Sequence, residues 1–345
     1  MPQPATFTAS DAARLHDALT GLVAAGGTPG GVIVFGTAGW DQQVLATGVV
    51  APECGQAAPG EHTVYDIASL TKVVATWPLA GQAVAAGLLD LDAPVRDFLP
   101  PVIGEAPSGE ATVRQLITHT SGLRAVTRLD HYRGASMPLH ELLCREPLDN
   151  PPGQHRYINR GYILLGLALA HIHSRPLHEL AAGLWARAGM TATCYSPVAR
   201  ATHVAPTEQR LRGAPRIWGA VHDENAALLG GAAGHAGVFS TASDLATYAE
   251  HLLTAHDRKE SLGDWLTVSL TPQAAIEDGL DRGLAWILAD GGRTACHHGW
   301  TGTSLYLAPV TRRYLVICTN AIYSGPARER IAPLRALAQK TISAT

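Results

Sequence analysis

Ser69 and Lys72 stand three residues apart in Tyr65-Asp66-Ile67-Ala68-Ser69-Leu70-Thr71-Lys72. On a helix this spacing puts both side chains on one face, one turn apart. A serine hydroxyl is a weak nucleophile until a neighbour takes its proton. A lysine can do so when burial lowers its proton affinity toward neutral pH. Lys72 is set among Ile67, Val73, Val74 and Ala75. Residues 65–68 read as extended, so Ser69 falls at a helix N-terminus, where free N–H groups and the helix dipole favour a developing oxyanion. The chemistry would be acyl transfer through serine. The pair also has a plain reading, with Ser69 as a helix cap and Lys72 reaching out to solvent. An S-x-x-K pattern arises by chance about once in a chain of this size. Lysine is scarce, however: Lys72, Lys259 and Lys340 are the only three among 26 basic residues. The other two lie in polar or terminal stretches, and Lys72 does not.

The surrounding pattern says what positions this pair. Residues 11–25 predict a helix, with Leu15, Leu19 and Leu22 on one face and Ser10 as its cap. Residues 30–35 and 43–49 predict a hairpin, and 68–89 a helix broken or kinked at Pro78. Further helices are expected over 112–117, 160–172, 176–188 and 244–254, the last entered through a capping-box pattern at Thr241-Ala242-Ser243-Asp244. Strands are expected over 283–289, 303–307 and 314–320, and a closing helix over 327–342. Strands at both ends with helices between them predict an α+β fold. One antiparallel sheet is built from the two chain ends and flanked by helices, and a mostly helical region is inserted. The expected division is residues 1–78 and 230–345 for the sheet part and 79–229 for the helical part, with a site in the cleft between them.

The 345 residues are 46% apolar and 16% charged, which suits a sizeable core. The net charge of −3 comes without a basic tract, which argues against nucleic acid and membrane as partners. Residues 1–7 show no secretory signal, and no stretch of about 18 apolar residues predicts a span. Five cysteines without a C-x-x-C pair predict reduced thiols and a cytoplasmic location, unless an export signal has been removed. Sixteen scattered histidines without H-E-x-x-H give little support to a metal site, and no cofactor is expected.

Five segments in order then carry a resemblance. Residues 65–72 resemble the first motif of the serine β-lactamase and penicillin-binding-protein superfamily, in the form of the class C β-lactamases and their esterase and D-amino-acid peptidase relatives. Residues 115–123, Gln-Leu-Ile-Thr-His-Thr-Ser-Gly-Leu, are similar to a segment following the nucleophile helix. Tyr157-Ile158-Asn159 resembles the second motif, Y-x-N. Residues 234–241 resemble the turn into a late helix, and His297-His298-Gly299-Trp300-Thr301-Gly302-Thr303 resembles the third motif. The resemblance runs from about residue 20 to residue 325.

It implies an acylated nucleophile at Ser69, proton sharing by Lys72, and Tyr157 as partner acid or base. Asn159 would bond Lys72 or a substrate amide. His297, His298, Gly299 and Trp300 would line the substrate strand, with the Trp300 N–H joining that of Ser69 as an oxyanion hole. Many relatives carry K-T-G where this chain has His297-His298-Gly299. A histidine is mostly neutral at pH 7 and replaces the lysine's permanent cation weakly. The expectation is therefore a serine hydrolase of small acyl substrates, with ester or peptide-like substrates ranked above β-lactams. A binding protein that retains the fold and a metal-dependent hydrolase are the alternatives. Of the tryptophans, Trp218, Trp286 and Trp300 are candidates to line a pocket, and Trp286 suits a core position better. His119 reads as a structural hydrogen-bond partner, His235 between glycines as a loop residue and not a ligand, and Val221-His222-Asp223-Glu224-Asn225 as a polar cluster that orders a loop. The oligomeric state is not legible in the sequence.

Overall fold

The computed structural model describes residues 6–40, 42–325 and 328–344. Its strands are β1 (Gly30–Thr37), β2 (Gln43–Gly48), β3 (Val64–Asp66), β4 (Cys194–Tyr195), β5 (Val238–Thr241), β6 (Ala274–Glu277), β7 (Leu280–Arg282), β8 (Ile287–Ala289), β9 (Thr294–His298), β10 (Ser304–Ala308) and β11 (Arg313–Thr319). The helices are α1 (Ala9–Ala24), α2 (Trp77–Ala85), α3 (Val113–Ile117), α4 (Leu139–Arg145), α5 (Asn159–Ile172), α6 (Leu177–Ala188), α7 (Glu224–Leu228), α8 (Ala242–Leu253), α9 (Ser261–Ser269) and α10 (Ala332–Ser343).

The α+β expectation holds. An eight-stranded antiparallel sheet runs β2-β1-β11-β10-β9-β8-β7-β6, so β1 from the chain start pairs with β11 from its end, Gly31 opposite Thr319 and Phe35 opposite Leu315. β1 alternates between two cores. Ile33 and Phe35 face α1 and α10 through Leu15, Leu19, Leu334 and Ile342. Val32 and Val34 join the larger core with the helices of the opposite face. A three-stranded sheet, β3-β5-β4, sits beside the larger one and leads into the turn that carries Ser69. Among the described residues no helix is long and apolar enough to cross a membrane.

Several elements differ from the sequence pattern. The cap of α1 is Thr8, not Ser10: its hydroxyl accepts from Asp11 N–H while the Asp11 carboxylate accepts from Thr8 N–H, a reciprocal box that satisfies two free donors. The segment 68–89 is not one helix kinked at Pro78. A 3-10 turn at Ala68–Leu70 passes into π winding at Lys72–Thr76 and then into α2, where Pro78 occupies the first turn that proline tolerates. The carbonyls of Val73 and Val74 in the loosened segment accept from the Tyr248 hydroxyl at 2.7 Å and the Trp185 indole at 3.0 Å, which replaces regular helix pairing with tertiary bonds. Residues 283–289 are not one strand. Gly283 N–H returns to the Trp286 carbonyl at 2.9 Å, and only Ile287–Ala289 pairs. Trp286 is fully buried edge-on against Trp77, 5.5 Å between ring centres, as its core reading anticipated. Truncating such a ring costs about 3–5 kcal/mol. The closing helix begins at Ala332; its expected start at residue 327 lies outside the described residues.

Candidate active site

The turn that carries Ser69 is held from three sides. Asp66 ends β3 and is fully buried. Its carboxylate accepts from Ala68 N–H at 2.8 Å and from His222 N–H at 2.7 Å. Ala68 sits at φ +45°, the left-handed region that non-glycine residues avoid, so the turn is strained where it presents the serine. From the other side, Thr301 and Thr303 donate to the carbonyls of Asp66 and Ile67 at 2.7 and 3.0 Å. Gly299 lies between. A Cβ there would meet Thr303 Oγ1 at 2.1 Å and the Ile67 carbonyl at 2.4 Å, so only glycine lets the end of β9 approach this turn. Arg335 on α10 donates to the Gly299 carbonyl at 2.8 Å and fixes that end from behind.

Lys72 lies below Ser69, wholly buried. Its Nζ is 2.9 Å from Ser69 Oγ, 2.9 Å from Asn159 Oδ1 and 3.3 Å from the His235 carbonyl. It also stands 4.8 Å from the centre of the Tyr157 ring and 5.4 Å from that of Tyr162. Burial pushes the ammonium down from its ordinary value, and Tyr157 and Asp223 pull it partly back. Asn159 opens α5, which brings the second motif over the first.

These groups open on a cavity of about 780 Å³. Ser69, Tyr157, Asn159, His297, His298 and Trp300 line it, so the sequence-chosen residues converge, with Lys72 beneath the serine and Gly299 between two lining residues. Tyr157 and Trp300 are half exposed at its mouth. Trp218 is absent from the lining and donates instead to the Val204 carbonyl at 2.7 Å. His119 is structural as expected. It stacks on Tyr157 with 4.3 Å between ring centres, and its Nδ1 accepts from Ile158 N–H.

The sequence reading missed a buried cation of the cleft. Arg282, at the end of β7, is almost fully buried and lines the cavity. It donates to the Ala285 carbonyl at 2.9 Å and to His155 Nε2 at 3.2 Å. Among the described residues no carboxylate lies within ion-pair distance of it. Burial lowers its proton affinity, yet an arginine keeps its proton. Around it the histidines are driven neutral. His119 and His297 are held well below the ordinary value by burial and then by Arg282, and His155 falls to about 4 for the same reasons. Neither ring nitrogen of His297 finds a hydrogen-bond partner among the described residues. The only signal of Arg282 in the sequence is a cation set against the apolar run Leu284-Ala285-Trp286. Glu208, Arg210, His222, Asp223 and Glu224 also line the cavity. Of these, the sequence singled out only the cluster at 221–225. Among the described residues no group of three His, Cys, Asp or Glu converges as a metal site.

An antiparallel sheet joining both chain ends, with this cleft at the edge of β9, defines a hydrolase of the β-lactamase type. The chain belongs to the β-lactamase family, whose model matches residues 15–340. It is 28% identical over 308 residues to an Escherichia coli K12 protein named "Putative D-alanyl-D-alanine carboxypeptidase", covering 76% of this chain and 70% of that one. Its fold matches a β-lactamase/D-alanine carboxypeptidase from Pseudomonas syringae with a TM-score of 0.76 at 19% identity, over 96% of this chain and 99% of the other. It also matches EstCE1, a hydrolase with promiscuous acyltransferase activity, with a TM-score of 0.75 at 18% identity, over 97% and 99%.

Proposed function

We propose that the protein is a serine hydrolase that works through an acyl-serine intermediate on substrates bearing a carboxylate on the leaving-group side, peptides or esters ending in a D-amino acid foremost. The observation that carries the acyl-serine part is the Ser69–Lys72–Asn159 chain of 2.9 Å contacts, with Tyr157 beside it. Ser69 Oγ attacks the carbonyl carbon as its proton passes to Lys72 or Tyr157. The oxyanion faces the N–H groups of Ser69 and Trp300. Collapse of the tetrahedral adduct expels the leaving group, which takes a proton from the same pair. Water then repeats the sequence on the acyl-serine and frees the acid. The helical part, residues 79–229, supplies Tyr157 and Asn159 to the cleft.

Arg282 favours the carboxylate. The third motif gives up a lysine, and His297 is neutral, but a buried guanidinium stands beside both. It matches a carboxylate in charge and in its forked geometry. The curated relatives' printed name supports the same substrate class.

The test is a parallel assay of a fluorophosphonate probe, a chromogenic short-chain ester, a D-alanyl-D-alanine peptide and nitrocefin, with Ser69→Ala as control. Labelling of the wild type but not the variant, with turnover of the peptide, is the expected result. Absence of label and of all turnover would overturn the acyl-serine mechanism. Turnover of nitrocefin with neither ester nor peptide cleaved would overturn the substrate ranking.

A further inference from the structure

The cluster at 221–225 and the glycine-flanked His235 meet in space. His235 is wholly buried, and its Nε2 lies 2.8 Å from Asp223 Oδ1. A carboxylate only accepts, so this bond puts the imidazole proton on Nε2. Asp223 Oδ1 also accepts from Ala226 N–H at 2.8 Å, which fixes the carboxylate. Burial pushes the Asp223 carboxyl up, but the His235 bond, the Ala226 N–H and the nearby Lys72 outweigh it and hold it well below its ordinary value. The His235 carbonyl in turn accepts from Lys72 Nζ.

The loop bearing that carbonyl has little freedom except through its histidine. A Cβ on Gly234 would meet the Tyr162 carbonyl at 2.0 Å, so the loop is wedged against α5. Thr76 Oγ1 donates to the Gly234 carbonyl at 2.6 Å. The residue before Asp223 is His222, whose N–H holds Asp66 and, through it, the turn of Ser69. Two adjacent residues therefore hold the serine turn on one side and the lysine's third acceptor on the other.

We propose that Asp223 and His235 form a positioning pair that acts on the reaction through Lys72, by fixing the His235 carbonyl against its ammonium and keeping a negative charge close by. This rests on the acyl-serine reading above. Neither residue touches substrate in this role. Lys72 is faced by Tyr157 and Tyr162 at the start of α5, His119 after α3, His297 on β9, Arg282 on β7, and Asp223. Asp223 and the two tyrosines favour its charge; the histidines oppose it only when protonated, and Arg282 opposes it always. Of the carboxylates, Asp223 is the one that acts on it from among these six groups.

The experiment compares the pH profile of chromogenic ester hydrolysis in the full-length wild type, Asp223→Asn, His235→Gln and His235→Leu, with thermal melting of each. Asp223→Asn removes the charge and should lower kcat roughly 10- to 100-fold with KM nearly unmoved. Without that charge Lys72 loses its proton more readily, so the limb of the profile that it governs moves to lower pH by roughly one unit. His235→Gln keeps an N–H donor for Asp223 and should lose no more than about threefold in kcat, whereas His235→Leu should fall with Asp223→Asn. An unmoved limb in Asp223→Asn overturns the proposal, as does an equal loss in His235→Gln and His235→Leu that follows their melting temperatures. Fluorophosphonate labelling of Ser69 separates the two levels. An unlabelled wild type overturns the acyl-serine reading and the pair together; a labelled wild type with an unmoved limb overturns the pair alone.

Discussion

The two sides of the cleft are built on opposite terms. On the side of Ser69, the two buried charged groups nearest the serine are matched within the protein: Lys72 has three acceptors, and both oxygens of Asp66 have donors. On the side of β7 and β9, Arg282 has no carboxylate among the described residues, and His297 has two unpartnered ring nitrogens. Burying polar groups without partners costs about 1–3 kcal/mol each, so a fold keeps them only where something offsets the cost. The contrast separates two tasks. One wall holds the groups proposed to react in fixed geometry; the other carries hydrogen-bonding and charge capacity that a substrate can use. It also explains how the third motif can give up its lysine. On this reading the permanent cation moves from the motif on β9 to β7, two strands away.

The largest expected effect is on the matched wall. Lys72→Met removes the proposed proton acceptor, and Lys72→Arg keeps the charge but cannot release a proton near neutral pH. Each should reduce kcat for ester and peptide alike by at least about 10³-fold, because the groups act as a unit. Turnover by Lys72→Arg within tenfold of the wild type would mean that Tyr157 works without a titrating lysine. A smaller and more selective effect belongs to the other wall. Arg282→Gln should raise KM for a D-alanine-terminated peptide roughly 10- to 100-fold, the worth of a hydrogen-bonded charge, and change that of a neutral ester less than about threefold. Equal losses on both substrates would assign Arg282 to the architecture and not to recognition.

The same contrast governs what the amino-acid pattern discloses. The matched wall is local: serine and lysine share one turn, and Tyr157 and Asn159 are two apart at a helix start. Such spacings can be read without coordinates. So can the joining of the chain ends, because β1 and β11 are apolar runs bounded by turn residues. The receptive wall is assembled through space. Arg282 meets His155 across more than a hundred residues, and Asp223 reads as one member of a loop-ordering polar cluster until His235 is seen beneath it. The misread elements have the same origin. The winding at 72–76 depends on Tyr248 and Trp185, and the turn before Ile287 on burial of Trp286. Tertiary contacts override local preference at each of these places. The cap of α1 is a different error: Thr8 and Ser10 are both good caps, and the carboxylate of Asp11, three residues after Thr8, is what selects between them.

The smallest expected effect is on stability, and it tests the receptive wall without substrate. His119, His155 and His297 are held neutral in the folded protein, below the ordinary histidine value near 6.5. The unfolded chain therefore binds more protons than the folded one once the pH falls below about 6.5. Their contribution to stability is fully present above that value and is lost as the pH falls toward the folded-state values, about 4 for His155. The melting temperature should decline from pH 7 to pH 5. His140 and His251, also lowered by burial, add to the wild-type slope from outside the cleft, so the informative quantity is a difference. His297→Asn removes one buried titrating ring and should flatten the decline by at most about 1.4 kcal/mol per pH unit, a few degrees over the range. Parallel curves would mean that folding leaves the proton affinity of His297 unchanged, and a shallower decline in the wild type that His297 holds a proton in the folded state. The third motif would then carry its own cation, and the division of labour between His297 and Arg282 would fail.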